Sequence, residues 1–315
     1  MKRMTTTLAL ALACVGVPGA STSVGESAAS RASAFVQDAG RIDLDVKIRS
    51  HRLGRDISVA IYLPAETHLD QSVAERLPVV YLLHGLGDDH TAWPRLGKIK
   101  PTLDALIRRG KIKPVLVIMP NMDRSWYVND ARSEGFGPMF DAFRSDLIPA
   151  IDARYPTAPC RVGRAIGGLS MGGYGALIHG FAEPRLFKVV FSLSGALFHE
   201  DLSEDPIRRR FLAGLIGGVH GHPMDHDERR RWNVFERLRN VGPRRDNPDV
   251  WLSTGDDDSF YSILTGTVRA HQMLRRQDVV SELRVDDAGH DWDYWRQAVI
   301  PALVWSSAQL KKTCL

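Results

Sequence analysis

The sequence predicts an α/β fold in which a mostly parallel central sheet carries helices on both faces. Three observations predict it. Short, almost unbroken apolar runs recur along the chain, segments of helical periodicity separate them, and the first two strand-like segments alternate apolar with polar residues.

The elements follow in order. Ile42-Asp43-Leu44-Asp45-Val46-Lys47-Ile48 alternates, as does the stretch from Ile57 to Leu63, so both read as half-exposed antiparallel strands joined by a turn near Gly54. Continuous apolar runs then mark buried parallel strands at Pro78 to Leu83, Val115 to Met119, Ala165 to Leu169 and Val189 to Leu193. Two more fall at Val250 to Ser253 and Glu282 to Val285. Helical patterns occupy about 99–109, 138–154, 172–182, 259–276 and 291–310. The segment 198–248 is rich in His, Arg and Asp and has no strand run. It reads as a helical insertion over the strand ends, placed to act as a lid or pocket wall.

With 315 residues, 44% hydrophobic and 25% charged, the chain can bury a full core. A disordered, collagenous or polytopic membrane protein is excluded. The formal charge of +4 falls to +2 without Lys2 and Arg3, too little to argue for nucleic acid. The runs Arg208-Arg209-Arg210 and Arg229-Arg230-Arg231 read as solvated helix faces.

Residues 1–20 have the parts of a signal peptide: Lys2 and Arg3, the apolar run from Leu8 to Val17, and small residues at Gly19-Ala20-Ser21. That run is too short to span a bilayer. The expectation is a secreted or periplasmic protein, with a lipoprotein as the variant because Ala11-Leu12-Ala13-Cys14 loosely resembles a lipobox. Residues 21–40 read as a Ser/Ala/Gly-rich linker and 41–315 as the folded domain. After leader removal only Cys160 and Cys314 remain, and an exported chain can pair them.

The chemistry centres on Gly168-Leu169-Ser170-Met171-Gly172. A buried strand ends at Leu169 and a helix rich in small residues starts straight after, which is the setting of a nucleophile elbow with Ser170 at its tip. A serine hydroxyl needs a base to take its proton, and the base needs an acid to orient it. In the chain order Ser, acid, His the base lies late, and His290 follows the last strand in a turn that opens the final helix, whereas His271 falls inside a helical pattern. The acid should follow the preceding strand, where Asp256, Asp257 and Asp258 stand together; the residues alone leave this choice open. An oxyanion hole would comprise the amides of Leu86, in the loop His84-Gly85-Leu86-Gly87, and Met171, with His84 as a structural support for that loop. Trp126 and Tyr127 follow a strand end and are candidates to line the substrate pocket. His220, His222, His226 and Asp225 have ligand-like spacing, but this chemistry needs neither a metal nor a cofactor, so none is expected.

Leu83-His84-Gly85-Leu86-Gly87-Asp88-Asp89-His90-Thr91-Ala92-Trp93, Met119-Pro120-Asn121, Gly167-Gly168-Leu169-Ser170-Met171-Gly172-Gly173 and Gly289-His290-Asp291-Trp292 together resemble the esterase D family of α/β-hydrolases. That family includes feruloyl and acetyl-xylan esterases, S-formylglutathione hydrolases and mycolyltransferases. The resemblance implies the α/β-hydrolase fold and a serine esterase acting on a small-molecule or polysaccharide-linked ester. Through the family's spacing from Gly255 it also implies Asp258 as the acid. Aspartate at that position, where the mycolyltransferases carry Glu, leans toward hydrolysis. The alternatives are acyl transfer of the mycolyltransferase type and a non-catalytic envelope- or carbohydrate-binding protein, which would normally have lost one of the three residues.

Overall fold

The computed structural model describes residues 39–65, 76–130, 135–197, 230–241 and 246–314. Residues Ala39–Leu315 fall in one compact unit. Residues 1–38, where the leader and most of the linker are expected, and 198–229 of the expected insertion lie outside the described residues, as do 66–75, 131–134 and 242–245.

Eight strands form one sheet: β1 (Arg41–Ser50), β2 (Arg55–Leu63), β3 (Val79–Leu83), β4 (Leu116–Pro120), β5 (Arg164–Leu169), β6 (Val189–Leu193), β7 (Asp249–Gly255) and β8 (Ser281–Asp286). Their order is β1-β2-β4-β3-β5-β6-β7-β8, with β1 and β2 antiparallel to their neighbours and the rest parallel. β1 is half exposed, as its alternation predicts. β2 is not: from Val59 to Leu63 it is buried throughout. The reason is its place between β1 and β4, where Ile57, Val59 and Ile61 join the core on one face and Ala60 and Tyr62 the core on the other.

Helices cover both faces. α1 (Ala92–Arg95), α2 (Ile99–Arg108), α3 (Met139–Ala142), α4 (Ile148–Arg154), α5 (Met171–Ala182), α6 (Val234–Arg239), α7 (Tyr261–Arg276) and α8 (Trp292–Gln309) follow in chain order. Because successive strand residues point to opposite faces, Val80 and Leu82 pack with Leu103 of α2 and Val299 of α8, while Tyr81 and Leu83 pack with Phe143, Leu177 of α5 and Leu274 of α7. α3 runs into α4 through one π-helical turn at Phe143–Leu147, so the periodic stretch 138–154 is one helical rod with an irregular middle. Of the insertion, α6 packs against α5 and α7, and Trp232, Val234, Phe235 and Leu238 belong to that face's core.

Cys160 and Cys314 form a disulfide with Cα atoms 5.7 Å apart. It ties the segment after α8 to the loop before β5, next to the backbone bond from Lys311 N–H to Val162 O.

Candidate active site

β5 delivers Ser170 to the carboxyl edge of the sheet. The residue has φ 51° and ψ −116° at the N-cap of α5, a left-handed backbone that costs a non-glycine residue about 1–3 kcal/mol and persists only where its surroundings enforce it. They do so here. The Ser170 N–H donates to Leu193 O at 2.9 Å, and its carbonyl accepts from Tyr174 N–H and Ala196 N–H. Glycine is required beside it: a Cβ on Gly168 would stand 2.6 Å from Leu83 O, and one on Gly172 would stand 2.7 Å from His84 O.

His290 lies in the turn between β8 and α8. Its Nε2 is 3.1 Å from Ser170 Oγ, and its Nδ1 is 2.7 Å from Asp258 Oδ2. Since an ionised carboxylate only accepts, Nδ1 carries the proton and Nε2 is left to take one from the hydroxyl. Two aromatic edges hold the imidazole, Phe260 at 5.1 Å and Trp295 at 4.9 Å between ring centroids. Trp295 is itself anchored by donation from Nε1 to Ser194 Oγ. Asp258 is the one buried member of its trio, with a side chain 0% exposed against 11% for His290, and its other oxygen accepts the Phe260 N–H at 2.8 Å. Asp256 and Asp257 are exposed.

Opposite the triad-like line stands the loop after β3. No acceptor among the described residues takes the N–H of Leu86 or of Met171, so two donors are open beside Ser170. A cavity of about 220 Å³ opens there, lined by Ser170, His290, Leu86, Trp126, Phe260 and Trp295 among others.

The family model named Esterase matches residues 50–306. The chain belongs to the esterase family. An endo-1,4-beta-xylanase/feruloyl esterase of Xylanibacter ruminicola is 34% identical to this esterase-family chain over 169 residues, 52% of this chain and 23% of the relative's, so the chain spans less than a quarter of that relative's length. An acetyl esterase of Caldicellulosiruptor saccharolyticus is 25% identical over 246 residues, 74% of this chain and 85% of its own. Among solved structures, a ferulic acid esterase superposes with a TM-score of 0.66 at 24% identity, covering 87% of this chain and 99% of its own. An S-formylglutathione hydrolase from Agrobacterium tumefaciens superposes with a TM-score of 0.69 at 19% identity, over 87% and 97%. These likenesses show that the esterase-family chain has the α/β-hydrolase fold.

Within this esterase fold Ser170, His290, Leu86 and Trp126 line one cavity, and Asp258 lies buried behind His290. Tyr127 does not line it: its ring is fully buried, and its hydroxyl donates to His84 O at 2.9 Å. The sequence reading passes over Phe260, Ile263, Ala196 and Trp295, which complete the wall. Only Trp295 carries a visible signal, one helical turn after Trp292. It also gives no role to Asp88, whose half-buried carboxylate faces the same cavity; burial and then the neighbouring Asp89 raise its pKa. Among the described residues Asp256, Asp257 and Asp287 bring three exposed carboxylates within 4.8 Å of one another. The His220, His222, His226 and Asp225 group lies outside the described residues.

Proposed function

We propose that this protein is an exported serine hydrolase of carboxylic esters, with Ser170 as nucleophile, His290 as general base and acid, Asp258 as the orienting carboxylate, and the amides of Leu86 and Met171 as the oxyanion hole. The observation that carries the reading is the unbroken line Asp258 Oδ2 to His290 Nδ1 at 2.7 Å and His290 Nε2 to Ser170 Oγ at 3.1 Å. In the first half-reaction Ser170 Oγ attacks the ester carbonyl while Nε2 takes its proton, and the new oxyanion accepts from the two amides. Collapse breaks the bond to the alcohol oxygen, which leaves with the proton from Nε2. Water repeats the sequence on the acyl-enzyme and releases the acid and the free serine.

The cavity, at about 220 Å³, is smaller than the roughly 300–1,000 Å³ that drug-sized ligands occupy, and its walls include Trp126, Phe260 and Trp295. A short acyl chain or a single aromatic ring suits that space, with the alcohol portion outside. The relatives named acetyl esterase and feruloyl esterase support the same substrate class, so acetyl or feruloyl esters of polysaccharides are the proposed targets. The leader in residues 1–20 supports export.

The test is a panel of p-nitrophenyl esters of rising chain length, with methyl ferulate and acetylated xylan, on the wild type and on Ser170→Ala. Activity concentrated on short or aromatic acyl groups, and lost in Ser170→Ala, is expected. No hydrolysis of any ester, or hydrolysis indifferent to Ser170→Ala, overturns the proposal.

A further inference from the structure

We propose that Tyr127 is a positioning residue that aims the oxyanion-hole amide of Leu86, acting through His84 and two successive peptide planes. The inference rests on the esterase reading above and deepens it.

The His84 carbonyl accepts the Tyr127 hydroxyl at 2.9 Å. The Gly85 carbonyl accepts from His84 Nδ1 at 2.8 Å. His84 Nε2 in turn accepts the Met122 N–H at 3.2 Å, so the imidazole is the neutral tautomer protonated on Nδ1. Burial keeps it neutral, pushing its pKa down to about 4. A trans peptide is planar, with its N–H on the edge opposite its C=O. Holding the Gly85 carbonyl against the His84 ring therefore turns the Leu86 N–H the other way. Holding the His84 carbonyl against Tyr127 turns the Gly85 N–H away from Tyr127, and the Gly85 carbonyl accepts a second donor, the Asp88 N–H at 3.3 Å. Gly85, Leu86 and Asp88 all line the cavity that contains Ser170, so the two peptide planes held by Tyr127 and His84 belong to the wall beside the chemistry.

Tyr127 is held as firmly as the loop it holds. Its N–H donates to Ser125 Oγ at 3.1 Å, and its carbonyl accepts from His179 Nε2 at 3.0 Å. Both Trp126 and Tyr127 have left-handed backbones, at φ 56° and 62°. Consecutive strained residues of this kind persist only where the surroundings over-determine them. The ring lies so close to α5 that a Cβ on Gly175 would stand 2.5 Å from it, leaving the hydroxyl one direction in which to point. α5, which begins at the second proposed donor Met171, thus also fixes the residue that aims the first.

The test is Tyr127→Phe, which keeps the ring and removes only the hydroxyl. Deleting an oxyanion donor outright costs about 10²–10³ in kcat; misaiming one of two should cost about tenfold. The expected result with p-nitrophenyl acetate is kcat down about tenfold and KM within about twofold. The inhibition constant of a trifluoromethyl ketone, which forms a tetrahedral oxyanion on Ser170, should rise in parallel with the loss in kcat/KM, because both report the same amide. The pH profile of kcat/KM should keep its shape, since neither His290 nor Asp258 bonds to this network. p-Aminophenylalanine incorporated at position 127 restores a donor and should recover most of the rate. His84→Asn reads the same network from its other member, and its parallel loss in kcat and in ketone affinity is expected should Tyr127→Phe not fold. A Tyr127→Phe enzyme within twofold of wild-type kcat, or one whose kcat falls without weaker ketone binding, overturns this inference alone. A wild type that cleaves no ester overturns it together with the proposed function.

Discussion

Replacing Asp258 by Asn tests which carboxylate of the Asp256-Asp257-Asp258 trio orients His290. Asp258 accepts two donors, His290 Nδ1–H at 2.7 Å and Phe260 N–H at 2.8 Å, with no solvent on its side chain. Asparagine offers one acceptor oxygen and one NH₂. If the NH₂ faces Phe260, two buried donors oppose each other, at about 1–3 kcal/mol. If it faces His290, the clash disappears once the imidazole moves its proton to Nε2, so the amide settles that way. The histidine is then in the tautomer that cannot accept the proton of Ser170. The expected loss is about 10⁴ in kcat, or about 5 kcal/mol of barrier, with little change in KM. Asp256 and Asp257 are exposed, and the carboxylate of Asp256 accepts only a long 3.4 Å bond from Ala288 N–H; their Asn variants should lose less than about tenfold. The assay is kcat on p-nitrophenyl acetate, with a thermal melt to show that each variant is folded. A folded Asp258→Asn enzyme within about tenfold of wild type, or a crippled Asp257→Asn, would refute the assignment.

Four further outcomes follow from the same geometry. A fluorophosphonate probe should label Ser170 and nothing else, and Ser170→Ala should lose labelling and several orders of magnitude in kcat while keeping its melting temperature within a few degrees; a labelled peptide elsewhere counts against the nucleophile. The Cys160–Cys314 bond closes a loop across a sequence separation of 154 residues, so Cys160→Ser should cost about 2–5 kcal/mol in urea melts, and mass spectrometry of the mature protein should find no free thiol. His84 at about 4 and His179 at about 3 are both depressed from 6.5 by burial. The unfolded chain therefore takes these protons first, and the stability they confer, complete above about pH 6.5, is lost as pH falls toward 4, by up to about 1.4 kcal/mol per pH unit for each imidazole. A urea midpoint unchanged between pH 7 and pH 5 contradicts this. Ile263 is buried in the cavity wall, so Ile263→Ala should shift the ratio of hexanoate to acetate hydrolysis several-fold toward hexanoate, at about 2–5 kcal/mol of stability; an unchanged ratio removes Ile263 from the acyl pocket.

What the chain discloses before folding depends on periodicity. β3 and β6 are buried on both faces and each reads as an almost unbroken apolar run, and of the longer helices α2 and α7 show their period, while α5, buried along nearly its whole length, does not. α1 is a single turn, too short to carry a period, and is hidden inside the motif that surrounds it. The half-exposed reading of β2 follows from its alternation, but Ser58 interrupts a strand whose later polar-side positions, Ala60 and Tyr62, are apolar enough for a second core. At the site, Ser170 and His290 are legible because a strand end and a helix start bracket them. Three identical letters leave the choice among Asp256, Asp257 and Asp258 open; the resemblance points to Asp258 through the spacing from Gly255, and the physical distinction, that only this carboxylate is buried, is a property of the β7 exit. Tyr127 beside Trp126 shows the same limit: two adjacent aromatic residues look interchangeable until two left-handed backbones send one to the cavity and the other beneath the oxyanion loop.

The sheet register explains why these residues meet at all. β3 and β5 are neighbours, and Leu83 pairs with Gly168, so the loop 84–87 and Ser170 leave the sheet from nearly the same level. β7 and β8 are also neighbours, and Gly255 pairs with Asp286, so the segments that carry Asp258 and His290 leave together one strand further on. Between the two pairs lies β6, whose exit stays low: Ser192 and Gly195 pack against Gly173 of α5, and the Ser194 N–H donates to Ser253 O. A Cβ at 195 would stand 2.1 Å from Ser192 Oγ, so a bulky residue there must displace Ser192 or the β6 exit. Parallel strands in fixed register thus bring the exits of β5 and β8 to the same edge of the sheet, and the turn that carries His290 reaches back across β7 and β6 to Ser170. Gly195→Val should therefore impair catalysis without touching any reacting group. It should lower kcat and fluorophosphonate labelling of Ser170 together while a circular dichroism spectrum still reports the sheet; a folded variant with undiminished labelling would show that β6 does not set the spacing.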